Sequence, residues 1–212
     1  MRRTTIDFPA LGLPKDVSGK DLTTCEISCI IQISWKAENL MLKPIINVAD
    51  VSLDPTPSAF APTGSAAARF EAKTVAIGAR IGAQKLGYNV TAVLPGKCAW
   101  PFHNHPAKEE MFFVLQGNGE VRIGEARYPI RRGDVIACPA GGTETAHQII
   151  NTGSEELRYL AVSTEHSLQM AQYPDSGKFA VKAEFGAAPD GTPMRVIFFG
   201  RENQSVDFWE GE

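Results

Sequence analysis

An all-β barrel or sandwich is the fold class this sequence predicts, and three observations predict it. Short β-branched and aromatic runs follow one another closely, separated by glycine or polar turns. No alternation of helix and strand patterns runs through the chain, and no G-x-G-x-x-G stands where a dinucleotide-binding turn would need it. The length of 212 residues with 43% hydrophobic content fits one domain of ordinary size with extensions, and supplies a real core.

In chain order, residues 1–40 mix charges with prolines and glycines and read as an N-terminal extension, with Met41 as an alternative start of translation. The apolar stretch 27–35 is far short of the roughly 20 residues that span a bilayer. Asp7, Lys15, Asp16, Lys20 and Asp21 separate it from the basic start, which argues against a secretory signal. Cys25 and Cys29 form a C-x3-C pair with no second pair to complete a zinc site, so they read as free thiols. Residues 41–68 form an irregular lead-in, rich in Pro, Ser and Ala from 52 onward.

A single domain is expected over 69–200. Strand signals fall within 69–81, where Val75, Ala76 and Ile77 are the strongest piece, then over 88–94 and from Glu110. Further signals lie at 120–123, 126–130, 134–138, 147–151, 157–162, 178–185 and 194–199. Residues 167–171 read as one helical turn and 190–193 as a turn. Residues 201–212 form a loose acidic tail, whose Trp209 is expected to pack on the domain, with packing on a partner as the alternative.

The stretch that carries chemistry is GKCAWPFHNHPAKEEMFFVLQG, from Gly96 to Gly117. On a strand, residues i and i+2 share a face about 6.6 Å apart, so His103 and His105 aim two imidazoles at one point. A hairpin through Pro106, Ala107 and Lys108 brings back Glu110, which shares a face with Phe112 and Val114. Imidazole with carboxylate suits a divalent transition metal. A second stretch, Gly133 to Asn151, runs from a turn through a short strand and a Pro/Gly-rich turn to His147. His166 falls outside both stretches and reads as a surface residue.

These stretches resemble the two cupin motifs. The first is a glycine, H-x-H, a glutamate, six residues and a glycine; Glu110 fits it, because MFFVLQ separates it from Gly117, and Glu109 misses by one. Six residues lie between Gly96 and His103 where the pattern has five. The second runs from Gly133 through Pro139, Ala140 and Gly141 to His147 and Asn151, with five residues before His147 where the pattern has two. The resemblance covers about 86–164 and implies a double-stranded β-helix, the jelly-roll-like barrel also called RmlC-like. A narrower likeness, carried by HQIINTG, LRYLAVST and Tyr173 to Lys178, is to bacterial single-domain (monocupin) proteins whose function is uncharacterised.

The resemblance implies one divalent ion (Fe, Mn, Ni, Zn or Cu) per chain on His103, His105, Glu110 and His147. Four protein donors leave an octahedral ion positions for a ligand, the open arrangement of catalytic sites. Cys98 and Cys138 lie near the motifs and are read as buried thiols rather than ligands. Phe112 and Val114 are expected to line the pocket, with Trp100 and Phe102 near its mouth. Glu109 is expected to face solvent, Gln148 to point away from the metal, and Asn151 to cap the following turn. Metal affinity is expected to fall as pH drops through about 6.5, because the ligand histidines must be neutral.

A net charge of −3 with no basic patch gives no footprint for nucleic acid, and nothing reads as a membrane span. Four cysteines without a signal favour a reducing cytoplasm. Cupin-like barrels commonly pair through their sheets, so a homodimer is expected. Three function classes stand: a metal-dependent enzyme (dioxygenase, isomerase or lyase) on a chelating small substrate; a module that binds or senses a sugar or small acid without turnover; and a metal-stabilised structural protein. The first is favoured, because open metal sites are usually chemical.

Overall fold

The computed structural model describes residues 43–189 and 193–212. The extension at 1–40 with its Met41 start, the Cys25 and Cys29 pair and most of the 190–193 turn lie outside the described residues. The strands are β1 (Asp54–Pro55), β2 (Ala72–Ala76), β3 (Leu86–Val93), β4 (Glu110–Gln116), β5 (Asn118–Ile123), β6 (Ala126–Arg131), β7 (Val135–Cys138), β8 (His147–Ile150), β9 (Leu157–Thr164), β10 (Leu168–Tyr173), β11 (Lys178–Ala187) and β12 (Pro193–Gly200). No helix among the described residues is long and apolar enough to cross a membrane.

Among the described residues all strand ladders are antiparallel, and they form three sheets that do not close into one continuous barrel. The largest has the order β1-β2-β3-β9-β4-β7; the others are β6-β5-β8 and β10-β11-β12. The inner face of the large sheet packs on the β6-β5-β8 sheet. Phe112, Val114, Ile136, Cys138, Leu157 and Tyr159 come from one side, and Val121, Ile130 and Ile149 from the other. Val114 and Leu157 are fully buried; each such side chain stabilises the fold by about 1.5–3 kcal/mol.

β3 is buried on both faces in its second half, which is why 88–94 reads as an unbroken β-branched and apolar run. Val93 faces the inner core, while Val90 joins Val75 and Ile77 on the outer face. The lead-in segment covers that outer face with Ile46, Val48, Val51 and Leu53. Gly117 turns β4 into β5 at φ +78°, and a Cβ there would come within 2.6 Å of the Glu156 carbonyl oxygen. The motif glycine is therefore required by both backbone angle and space.

Three expectations are corrected. Residues 167–171 are not helical: β10 pairs with β11 along its whole length, so ladder bonding overrides the local helix preference of Gln169 and Met170. His103 and His105 do not lie on a continuous strand. Pro101 and Pro106 flank them and cannot donate to a ladder, so the segment is held by isolated bridges, His103 to His147 and Asn104 to Gln172. Trp209 does not pack on the domain; it is 72% exposed and stands edge-on to Phe208 at 4.9 Å.

Candidate metal centre

The H-x-H segment is the seam between two sheets. On one side His103 exchanges backbone hydrogen bonds with His147 on β8. On the other, Asn104 does the same with Gln172 on β10. Asn104 is fully buried, and its Nδ2 donates to the Gly141 carbonyl and to Gln172 Oε1, both at 2.9 Å. The residue between the histidines thus points away from them and anchors the segment, while alternation turns both imidazoles to the opposite side.

Glu110 opens β4, and His147 opens β8 on the sheet that faces it. The Glu110 Oε2 atom meets Nε2 of all three histidines: His147 at 3.0 Å, His105 at 3.4 Å and His103 at 3.8 Å. One ligand atom each from His103, His105 and Glu110 lies within 4.8 Å of the others. Their side chains are 13–15% exposed and His147 is 4% exposed, so the cluster is reached from the side of the first three.

The other ring nitrogens are all committed to backbone carbonyls. His103 Nδ1 donates to Pro101 O at 2.7 Å, His105 Nδ1 to Met170 O at 3.0 Å, and His147 Nδ1 to Thr145 O at 3.3 Å. A carbonyl only accepts, so each Nδ1 carries the hydrogen and each neutral ring presents the Nε2 lone pair inward. The His103 and His105 lone pairs and the Glu110 carboxylate then form one compact donor group, and His147 Nε2 joins it through Glu110 Oε2 at 3.0 Å. The donor set fits a divalent transition metal.

In the metal-free protein a proton takes that role. Burial acts to lower the His147 pKa, but hydrogen bonding to Cys138 and Glu110 outweighs it and raises it to about 9. Burial and the His147 charge push His103 down to about 4. Glu110 is held well below the usual carboxylate range; burial alone would raise it, but the facing rings of His105 and His147 reverse the sign. One proton is therefore held between Glu110 and His147, beside an ionised Glu110 and a neutral His103.

The remaining residues singled out in the sequence separate into groups. Phe112 packs its ring 5.5 Å from His147 and 5.6 Å from Tyr159. Val114 lies one pair deeper in the core, fully buried. Trp100 and Phe102 line a different space, a cavity of about 410 Å³ walled also by Phe60, Phe70, Gln148 and Tyr173. Phe102 is buried there beneath the Arg122 guanidinium, 3.6 Å above its ring. Gln148 donates to the Trp100 carbonyl at 2.8 Å, away from the cluster. Asn151 is buried and bonds Val93 O, Glu155 O and the Gly153 amide, which closes the turn after β8. Glu109 and His166 are exposed. Cys98 lines the 410 Å³ cavity, and Cys138 is buried directly across β4 and β7 from Glu110.

Three residues escape the sequence reading. Asn104 looks like a spacer inside H-x-H. Glu165 follows the last clear strand. Lys108 sits in the hairpin but reaches Glu110 Oε1 at 3.6 Å; its place two residues before Glu110, on the same side of an extended chain, was the available signal.

Comparison with known proteins agrees with this geometry. Residues 89–163 match the cupin domain family. The oxalate-binding protein of Thermotoga maritima is 33% identical over 69 residues, 32% of this chain and 54% of that protein. The chain spans about half the length of the curated relatives it matches first. The solved structure of a cupin-superfamily sugar phosphate isomerase from Silicibacter pomeroyi covers 76% of this chain and 95% of its own, with 20% identity and a TM-score of 0.60. A candidate sugar phosphate isomerase from Acidithiobacillus ferrooxidans covers 73% and 92%, with 22% identity and a TM-score of 0.57. At those identities the two structures speak for the fold alone. The paired motifs and the His/Glu cluster fall within the segment 89–163, and that segment is the part of the chain that matches the cupin domain family.

Proposed function

We propose that the chain is a metal-dependent cupin enzyme of isomerase, lyase or dioxygenase type, acting on a small oxygen-rich substrate that chelates the metal. His103, His105, Glu110 and His147 would hold one divalent transition ion. The observation that carries this reading is the polarity of the three rings. Each Nδ1 is tied to a backbone carbonyl and each Nε2 faces Glu110 Oε2.

When bound, such an ion polarises a chelated carbonyl or hydroxyl oxygen and stabilises charge that develops on it. The chain's own residues do the rest. The carbonyls of Pro101, Thr145 and Met170 fix ring orientation, so little rearrangement is needed on binding. Asn104 fixes the spacing of His103 and His105 by bonding behind them. Phe112 and Val114 keep water from the inner side of the cluster, which raises the strength of every charge interaction there. Exposure of the His103, His105 and Glu110 side leaves a route for a small ligand.

A non-catalytic binding module is the second reading, favoured by the oxalate-binding relative. The two separate in one experiment. Cobalt-loaded protein is titrated with hydroxy acids, keto acids and sugar phosphates while the visible spectrum is followed, and each ligand that perturbs it is recovered and analysed. A spectral change with altered product supports the enzyme. A spectral change with every ligand recovered intact supports the binder. No change with any chelator contradicts both.

A further inference from the structure

Lys108 is not an ordinary surface lysine. Its side chain is 14% exposed and stands between two carboxylates, 3.6 Å from Glu110 Oε1 and 3.4 Å from Glu165 Oε1. Among the described residues it is the one lysine or arginine within ion-pair distance of Glu110. Glu165 is itself held in place. Its Oε1 accepts from Ser163 Oγ at 3.1 Å and its Oε2 from Gln169 Nε2 at 2.8 Å. Space for it is left by Gly87 on β3, where a Cβ would stand 2.5 Å from Glu165 Oε1 and 2.9 Å from Ser163 Oγ. Ser163 pairs directly with Glu110 across β9 and β4. Residues of β3, β4, β9 and β10 thus converge to place one ammonium beside the cluster.

The Lys108 contacts are loose. Neither is at the 2.7–2.9 Å of a well-formed charge-assisted bond, and an ammonium has three donors to give. Lys108 balances Glu165, and a divalent ion outweighs Glu110, so the loaded site carries net positive charge and attracts an anion.

We propose that Lys108 is a ligand-binding residue of this site: positioned by Glu165, it receives an anionic oxygen of the metal-bound ligand, and so selects small chelating carboxylates over neutral chelators. The inference rests on the metal reading above and adds to it the charge of the ligand and the residue that reads it.

The test uses the full chain loaded with cobalt, as wild type, Lys108→Met, Lys108→Arg and Glu165→Gln. Oxalate is the anionic probe and imidazole the neutral metal ligand, both followed in the visible spectrum, with metal content measured in parallel. Lys108→Met is expected to keep its metal and its imidazole affinity while oxalate affinity falls about 10- to 100-fold, the scale of one charged hydrogen bond. Lys108→Arg recovers part of that loss, and Glu165→Gln loses less than Lys108→Met. Wild-type oxalate affinity in metal-loaded Lys108→Met overturns the proposal. So does loss of metal in that variant, which would place the role of Lys108 at Glu110 and not at the ligand. Wild type that holds cobalt but ignores oxalate also overturns it and leaves the metal centre standing; wild type that holds no cobalt defeats the underlying metal reading instead.

Discussion

Glu110 Oε2 lies 3.0 Å from His147 Nε2, although the two residues are 37 positions apart and belong to different sheets. That contact joins the two facing sheets. It also brings the carboxylate of the first motif to the imidazole of the second. If the pair holds a metal, removing His147 should remove the metal. His147→Ala and His105→Ala are each expected to lose most bound ion, while His166→Ala keeps it, because His166 is exposed and outside the cluster. Elemental analysis of the folded variants checks this; stoichiometric metal in both motif variants rejects the site.

Metal uptake should release a proton. In the metal-free protein His147 is raised to about 9 and His103 lowered to about 4. Between those values His147 is charged and His103 neutral, so an entering cation displaces about one proton. A raised pKa means that the imidazolium is held by the fold; that contribution is present below the ordinary histidine value and is lost as pH rises through about 9. Metal affinity therefore climbs with pH up to about 9 and falls steadily on acidification, over a wider window than the 6.5 midpoint expected from free histidine. Calorimetry at pH 7 in buffers of different ionisation enthalpy reads the proton directly. A buffer-independent heat contradicts the charged His147.

Asn104→Ala should loosen the site without touching a ligand. Two donated hydrogen bonds disappear and leave half-buried acceptors behind, at a cost of about 2–4 kcal/mol. Urea unfolding of the metal-free protein measures it, and metal affinity is expected to fall because the spacing of His103 and His105 is no longer held. Unchanged stability would show that Asn104 is not the anchor described.

Phe112→Ala tests the wall behind the cluster. The ring packs on both His147 and Tyr159 and is 6% exposed, so truncation should cost about 3–5 kcal/mol. A cost under about 1 kcal/mol would mean that the site collapses around the loss.

Much of this was legible in the sequence because local signals and tertiary demands coincide. The strand from Glu110 alternates Glu110, Phe112 and Val114 inward, and the inward face is the one the core requires. Gly117 marks a turn that only glycine fits. What was not legible depends on contacts distant in sequence. β10 is a strand because β11 pairs with it, not because 167–171 prefers extended backbone. The role of Asn104 needs Gln172, 68 positions away, and Lys108 needs Glu165, 57 positions away. Trp100 and Phe102 flank the histidines in sequence, and with Pro101 they line the 410 Å³ cavity, whose lining includes none of the four cluster residues.

The central claim is the metal. The most direct measurement is elemental analysis of protein purified without a histidine tag, before and after reconstitution with Mn, Fe, Ni, Zn and Cu in turn. Close to one transition ion per chain is expected, lost on dialysis at low pH. A chain that takes up none of the five ions would contradict it, and the inward-facing lone pairs would then serve only the proton shared by Glu110 and His147.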